Sequence, residues 1–365
     1  MKIFYRLAAV PALLLIAGCS DNVVNGPTVL NRPELRRDHA DGVQGRISAL
    51  SWNIYVGADV DAVIGALASP DPTDDFPALL QAIEILHETD FPARAEAIAD
   101  EIARRRPQVI GLQEVWKIDI DLTGLGLPID VHIDFLPILA SALAARGLNY
   151  SVAATIQNTD ANPLPGLRVV DHDVLLVDRQ RVTITSSVAR HFAANIGTVA
   201  PGVNIIRGWV ALEAMIDGQS YSIVNTHLES GAGVALSGLR ALQTGELAAT
   251  LAGAPRVILM GDLNDVPGSA MYQVLTAAGF VDVWKALRPG AEGLTCCHAA
   301  DLSDPRAEFT QRIDYMFSRG LDKNKKDAAG RITVVGDQPR DRITHPGHDI
   351  WPSDHAGLAV SLREP

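Results

Sequence analysis

Asn53 in LSWNIYVG, Glu114 in IGLQEVW, His227 in IVNTHLES, Asp262 and Asn264 in MGDLND, and Asp314 in QRIDYMF each sit on or at the end of an apolar run. Asp354 and His355 follow in WPSDHAGLAV, just before another such run. A buried, isolated carboxylate is costly, so carboxylates in these places need a cation or several donors. Brought together, these residues would supply hard oxygens and amides, the set magnesium prefers. The two histidines add groups that hold or move a proton near neutral pH. Each residue also has a plainer reading. Glu114 can be a solvated strand end, Asn53 a strand-edge amide, His227 a satisfied core histidine and Asp314 a surface partner of Arg312 or Arg319. Asp262 with Asn264, and Asp354 with His355, can simply form turns. Convergence in space is what separates the two readings.

The elements that must position these residues follow from the apolar pattern. Strands are expected at 46–56, 108–116, 150–156, 173–179, 181–190, 205–216, 219–230, 256–265, 311–319 and 355–363. Helices are expected at 92–107, 135–147, 237–252 and 270–279. In the first of these, Ala95, Ile98, Ala99 and Ile102 line one face, Pro92 suits the first turn and Pro107 ends the helix. Positions i and i+2 of a strand face the same way, so Asp262 and Asn264 should point together into one cleft. Gly261 would let a backbone or ligand come close, and Pro267-Gly268 would turn the chain away. Many strands, some joined by helices, suggest two sheets packed face to face with helices outside. The segment 320–330 reads as a charged surface loop, and no repeat or internal domain boundary is visible after residue 46.

These pieces, in this order, resemble the endonuclease/exonuclease/phosphatase superfamily from about Ile47 to Leu362. The resemblance implies a DNase I-like α/β fold, a four-layer α/β/β/α sandwich of two mainly antiparallel sheets. It implies hydrolysis of phosphate esters with magnesium, or manganese in its place. Carried over by position, Glu114 is the main metal ligand, with Asn53 contacting metal or phosphate and Asp354 beside the metal. His227 bonds the scissile phosphate, Asp262 orients or deprotonates the attacking water, and Asn264 holds water and phosphate. His355 contacts the phosphate, its tautomer held by Asp314. The chain departs from the pattern at DHDVLLVDR, where Asp171 and Asp173 replace small or amide residues. NTHL resembles the sphingomyelinase, phosphoinositide phosphatase and deadenylase branches more than the abasic-site nucleases. The expected activity is a magnesium-dependent phosphoesterase, foremost a phosphodiesterase using in-line attack of an activated water. The alternatives are a secreted nuclease and a non-catalytic surface lipoprotein that binds without turnover. A lipid enzyme should carry an apolar rim, for which 55–70 and 120–137 are the candidates; a nuclease should carry a basic groove. Arg168, Arg207 and Arg240 are either substrate contacts or solvated, and His172, His345 and His348 either line the cleft or lie on surface loops.

Residues 1–18 read as a signal peptide, with Lys2 and Arg6 before a short apolar run. LIAGCS resembles the lipobox of bacterial lipoproteins, which would make Cys19 an acylated N-terminus, with 19–45 a flexible tether and 46–365 the folded domain. That implies export and lipid anchoring at a bacterial membrane, by resemblance the outer one, facing periplasm or cell surface. Removing Lys2 and Arg6 with the leader takes the formal charge from −12 to −14. So acidic a chain does not read as a generic nucleic-acid binder. The expected partners are a phosphorylated substrate (lipid headgroup, small molecule or nucleic acid) and the membrane; no protein partner is evident. The remaining cysteines, Cys296 and Cys297, are adjacent, and can close a vicinal disulfide, pair between chains or stay reduced. With His298 they form either a metal site or a local loop staple.

Overall fold

A computed structural model describes residues 46–363 except 72 and 322–329. The segments expected as signal peptide and tether, with Cys19, and most of the loop expected at 320–330 lie outside the described residues. In chain order the first half contains β1 (Arg46–Asn53), α1 (Val60–Ala68), α2 (Asp75–Glu88), α3 (Phe91–Arg105), β2 (Val109–Gln113), β3 (Lys117–Asp121), β4 (Asp130–Asp134), α4 (Phe135–Ala145), β5 (Tyr150–Leu164), β6 (Leu167–Asp178) and β7 (Thr183–His191). The second half contains β8 (Gly197–Ala200), β9 (Val203–Ile205), β10 (Gly208–Ile216), β11 (Gln219–His227), α5 (Val234–Thr250), β12 (Val257–Asp262), α6 (Ala270–Ala277), β13 (Val281–Asp282), α7 (Val283–Leu287), β14 (Asp314–Arg319), β15 (Gly330–Val335) and β16 (Gly357–Arg363).

Alternation along the central strands sets the layers. In β1, Ile47 and Ala49 face the second sheet, while Leu50 and Trp52 face helices. In β12, Ile258 and Met260 face the first sheet, while Val257 and Leu259 face helices. Both faces of each strand are therefore apolar, as a strand between two layers requires. The first sheet has ten strands, with the order β15-β16-β1-β2-β6-β5-β9-β8 and β3 and β4 attached beside β6. The second has six, in the order β13-β14-β12-β11-β10-β7. Each contains one parallel pair at its centre, β1 with β2 and β11 with β12, and is otherwise antiparallel. Ile98, Ala99 and Ile102 of α3 and Leu139 of α4 cover the first sheet; Leu247 of α5 and Met271 and Leu275 of α6 cover the second. The result is the expected four-layer α/β/β/α sandwich.

Register places the chemistry. Thr226 pairs with Gly261, and His227 with Asp262, across β11 and β12. Asp262 in turn pairs with Asp314 across β12 and β14. Three functional side chains thus stand abreast on adjoining strands. Gly261 is required by that geometry: its φ is +147°, and a Cβ there would lie 1.8 Å from the carbonyl oxygen of Thr226. The close approach is to the neighbouring backbone.

Several elements differ from expectation. The segment proposed as an apolar rim at 55–70 is largely α1, and 120–137 holds the end of β3, all of β4 and the start of α4. α2 was not expected, although Leu79, Ala82, Ile83 and Leu86 give it a buried stripe. β5 and β6 run on as a long twisted ribbon, with register shifts between Val152 and Ala154, Gln157 and Asp160, and Ala161 and Leu164. Those irregularities break the alternation that marks a strand in sequence. Among the described residues, no helix is long and apolar enough to cross a membrane.

Candidate active site

The cleft lies where β1 and β2 of one sheet meet β11, β12 and β14 of the other. Asn53 is fully buried at the end of β1. Its Nδ2 donates to Glu114 Oε1 at 2.9 Å and to Asp262 Oδ2 at 3.1 Å, and its Oδ1 accepts the Tyr55 backbone N–H at 3.0 Å. Asn53 therefore ties two carboxylates together as a donor. Glu114 reaches this side by a backbone device. Ile110 and Leu112 of β2 face the helices, so continued alternation would send Glu114 there too. A φ of +58° turns it into the cleft instead, where Oε2 accepts the Val56 N–H at 2.9 Å. The conformation is sparsely populated for a side chain of this type and is a mark of a site under constraint.

Asn264 also departs from the simple pattern. β12 ends at Asp262, and Asn264 has φ +52°, a conformation that Asn tolerates. Its N–H donates to Asp262 Oδ1 at 2.9 Å, closing a tight side-chain turn. Asn264 joins Asp262 in the cleft through this turn, not through strand alternation. Its Nδ2 lies 2.9 Å from His227 Nε2 and donates to the Leu228 carbonyl at 3.0 Å.

Two imidazoles flank Asp262. His227 Nε2 lies 3.6 Å from Asp262 Oδ2, and His355 Nε2 lies 3.8 Å from the same oxygen. His355 Nδ1 is 2.9 Å from Asp314 Oδ2. Burial alone would lower the pKa of His355, but Asp314, Asp354 and Asp262 outweigh it and hold the group well above the usual imidazole range. Burial pushes Asp262 up to about 7, with Asp314 adding to the rise and His355 opposing it. Burial likewise lifts Asp354 to about 7, opposed by His355 and reinforced by Glu114. His227 sits well below the usual range, through burial and the nearby Arg207 and His355. Arg207 Nη1 is 3.1 Å from His227 Nδ1. Arginine only donates, so Nδ1 accepts from Arg207, while Nε2 faces the Asn264 amide nitrogen and Asp262 Oδ2 in the cleft.

Asn53, Glu114, His227, Asp262, Asn264, Asp314 and His355 form one connected network, and Asp354 lies within electrostatic reach of Glu114 and Asp262. The other candidates go elsewhere. Arg168 pairs with Asp160 at 2.9 Å, and Arg240 with Asp265 at 3.1 Å. Arg207 is buried among His227, Glu229 at 3.5 Å and Asp171 at 3.7 Å. Arg207 and Arg240 are buried in these ion pairs, whereas Arg168 is exposed and paired on the surface. His172 contacts the Val115 carbonyl, His345 lies 3.5 Å from Asp90, and His348 lies 3.5 Å from the Asp301 carbonyl.

A model of the Endonuclease/Exonuclease/phosphatase family matches residues 50–355. The chain belongs to that family. Among solved structures, it is similar to a family protein from Bacteroides thetaiotaomicron, at 14% identity and a TM-score of 0.57, over 87% of this chain and 98% of that one. It is similar to a mannosyl-6-phosphatase from the same species, at 15% identity and TM-score 0.55, over 87% and 99%. It is also similar to D. rerio TDP2 complexed with a single-strand DNA product, at 18% identity and TM-score 0.51, over 87% and 99%. At these identities the likeness is one of fold. No curated protein sequence matches the chain.

The family pattern did not point to three residues that hold the site. Arg94 of α3 is fully buried and donates to the carbonyls of Thr89, Ile54, Tyr55 and Pro352 at 2.7–3.2 Å. It clamps the segment after Asn53 to the segment before Asp354, and burial brings its pKa down to about 10. Ser353 adds a second clamp, with Oγ donating to the Asn53 carbonyl at 2.7 Å. Glu229, 1% exposed, completes the Arg207 assembly. Only Glu229 had a sequence signal, its place two residues after His227 in THLES. Asp171 and Asp173 explain the departure in DHDVLLVDR. Both are buried; burial raises Asp171 to about 7 and Asp173 well above the carboxylate range. They back the Arg207–His227 wall instead of meeting substrate.

Proposed function

We propose that this chain is a magnesium-dependent phosphoesterase, foremost a phosphodiesterase, exported and lipid-anchored through Cys19. The observation that carries the reading is Asp262, tied to Glu114 through Asn53 and flanked on one oxygen by both imidazoles. The cluster suits a hard cation. Glu114 and Asp354 supply oxygens, and Asp354, lifted to about 7 in part by Glu114, is an acid in want of positive charge. When bound, magnesium or manganese would offset charge on the phosphoryl oxygens and on the leaving oxygen.

The protein's own groups supply the rest. Asp262, with a pKa near neutrality, accepts the proton of the attacking water. The Asn264 amide donates to a phosphoryl oxygen, with the neutral ring of His227 beside it. The imidazolium of His355, held by Asp314, places positive charge opposite them. With Arg207 and Arg240 buried in ion pairs and Arg168 paired with Asp160, a single phosphate on a lipid headgroup or small molecule is favoured over a long nucleic acid, which needs several free cations. The decisive experiment measures hydrolysis of bis-p-nitrophenyl phosphate, sphingomyelin vesicles, RNA and plasmid DNA with and without magnesium, with Glu114→Ala as control. Magnesium-dependent turnover absent from the control supports the reading. No turnover by a folded, magnesium-binding protein on any substrate of this panel would favour the binding module.

A further inference from the structure

The adjacent pair Cys296 and Cys297 lies against the cleft. Cys296 forms bridges to both Gln311 and His355, and the flanking residues fix the alignment. Ala356 N donates to the Thr295 carbonyl at 2.8 Å, and His298 N to the Asp354 carbonyl at 3.0 Å. The two cysteines therefore run directly alongside Asp354 and His355. They are joined as a disulfide. One ligand atom from each of Cys296, Cys297 and His355 falls within 4.8 Å of the others. Cys296 is buried at 2% exposure, whereas Cys297 is partly exposed and open to a reagent. His298, next in sequence, is 5% exposed; its Nε2 has no hydrogen-bond partner, while Nδ1 lies 3.2 Å from Asp304.

We propose that Cys296, Cys297 and His355 form a second site, for a soft divalent cation of the zinc type, available only when the cysteines are reduced. The donor set differs in kind from Glu114 and Asp354. Two thiolates and an imidazole select zinc-like ions, whereas carboxylates select magnesium. The disulfide masks the sulfurs as ligands. A dithiol reductant opens it by exchange: its thiolate attacks one sulfur, the Cys296–Cys297 bond breaks, and the reductant leaves as its own disulfide. Two thiols remain, and the incoming cation displaces both protons to solvent. An imidazole nitrogen bound to a cation cannot at the same time meet Asp314 or a group in the cleft beside Asp262. Occupation therefore withdraws His355 from the reaction. This inhibitory consequence rests on the phosphoesterase reading; the binding itself does not.

The test uses the full chain, oxidised and dithiol-reduced with reductant then removed, titrated with cobalt(II) and zinc(II) in excess magnesium. Cobalt reports thiolate ligation by its charge-transfer absorption, independent of any activity. The expected result is a charge-transfer band, displaced by zinc, in the reduced chain alone. Cys297→Ser, or alkylation of the reduced chain with iodoacetamide, should remove it. Zinc should then inhibit magnesium-dependent hydrolysis of bis-p-nitrophenyl phosphate in the reduced chain and spare the oxidised one. Absence of the band from the reduced chain, or its survival after alkylation, overturns the site. A band without inhibition of a turning-over enzyme overturns the withdrawal of His355. A band in a chain that hydrolyses nothing supports the site and counts against the phosphoesterase reading.

Discussion

The two histidines of the cleft face one oxygen of Asp262 from opposite sides, yet the fold prepares them in opposite ways. His355, in the segment leading into β16 of the first sheet, is backed by a carboxylate, Asp314, at 2.9 Å. His227, at the end of β11 in the second sheet, is backed by a guanidinium, Arg207, at 3.1 Å. The first is held as a cation and the second as a neutral ring. The difference lies in what stands behind each ring, since both are buried and burial alone pushes both toward neutrality. One residue type thus supplies a fixed positive charge on one wall and an uncharged ring on the other, with a carboxyl poised near pH 7 between them.

The largest effect should come from the group both rings share. Asp262→Asn keeps the size and the contact to Asn53 but removes the base. A loss of kcat of about 10³- to 10⁴-fold is expected, together with disappearance of the acid limb of the pH–rate profile. A profile that kept that limb would move the base elsewhere. Next comes the carboxylate behind His355. Asp314→Asn removes the charge that holds His355 protonated and that also raises Asp262. Both pKa values should fall, so the whole bell should move to lower pH, with activity lost first on its alkaline side. A loss of about 10²- to 10³-fold at neutral pH is expected, the range for losing a preorganised charge. An unshifted profile would mean that His355 works as a neutral ring.

Much of this was legible in the residues. Gly261 announced a close approach, and the ordered run of Asn53, Glu114, His227, Asp262, Asn264, Asp314 and His355 announced a cleft between two sheets. What was not legible has physical causes. Glu114 and Asn264 reach the cleft through positive φ angles, and periodicity carries no sign of a backbone flip. Arg94 sits in a helix rich in arginine, where the default reading is a solvated side chain; the fold instead surrounds it with four carbonyls. Arg207 was seen as substrate contact or surface, because its counter-charges come from Asp171 on β6 and Glu229 after β11, far apart in sequence. Long-range pairing of this sort has no local signature.

That same assembly gives the next test. Arg207→Met removes the donor at His227 Nδ1 and the counter-charge of Asp171 and Glu229. His227 then loses one of the causes that keep it neutral, so its pKa should rise while burial still holds it below the ordinary imidazole value, and a new titration should enter the acid side of the kcat/KM profile. The loss of activity should be smaller, about tenfold, because neither the base Asp262 nor the charge on His355 is removed. Stability should drop by about 3 kcal/mol or more, since carboxylates lose their buried partner; urea unfolding would read this. Arg207→Lys separates the two effects, keeping the charge while giving up the planar fork. A Met variant with no new titration would show that burial alone keeps His227 neutral.

The smallest effect is on stability as pH changes, and its sign follows from the carboxyls. Asp171, Asp262 and Asp354 titrate at about 7 when folded, against about 3.9 when unfolded. Between those values the folded chain keeps protons that the unfolded chain has released. Their contribution is full below about pH 4 and is lost as pH rises to about 7. His355, raised in the fold, acts in the same direction: its contribution is present below about 6.5 and fades as pH climbs through its higher folded value. His227, lowered in the fold, acts oppositely, since charging it costs stability as pH falls below about 6.5. Asp173, also raised, adds to these carboxyls, and together with His355 they outweigh the lowered imidazoles His227, His298 and His172, so the Tm of the metal-free protein should fall from about pH 5 to pH 8. Magnesium should flatten that slope, because a cation beside Glu114 and Asp354 stabilises the ionised acids that pH would otherwise impose without a partner. In Glu114→Ala the slope should lose most of its response to magnesium. A slope that magnesium leaves unchanged in the native protein would place the cation away from these carboxylates, and with it away from the base that stands between the two rings.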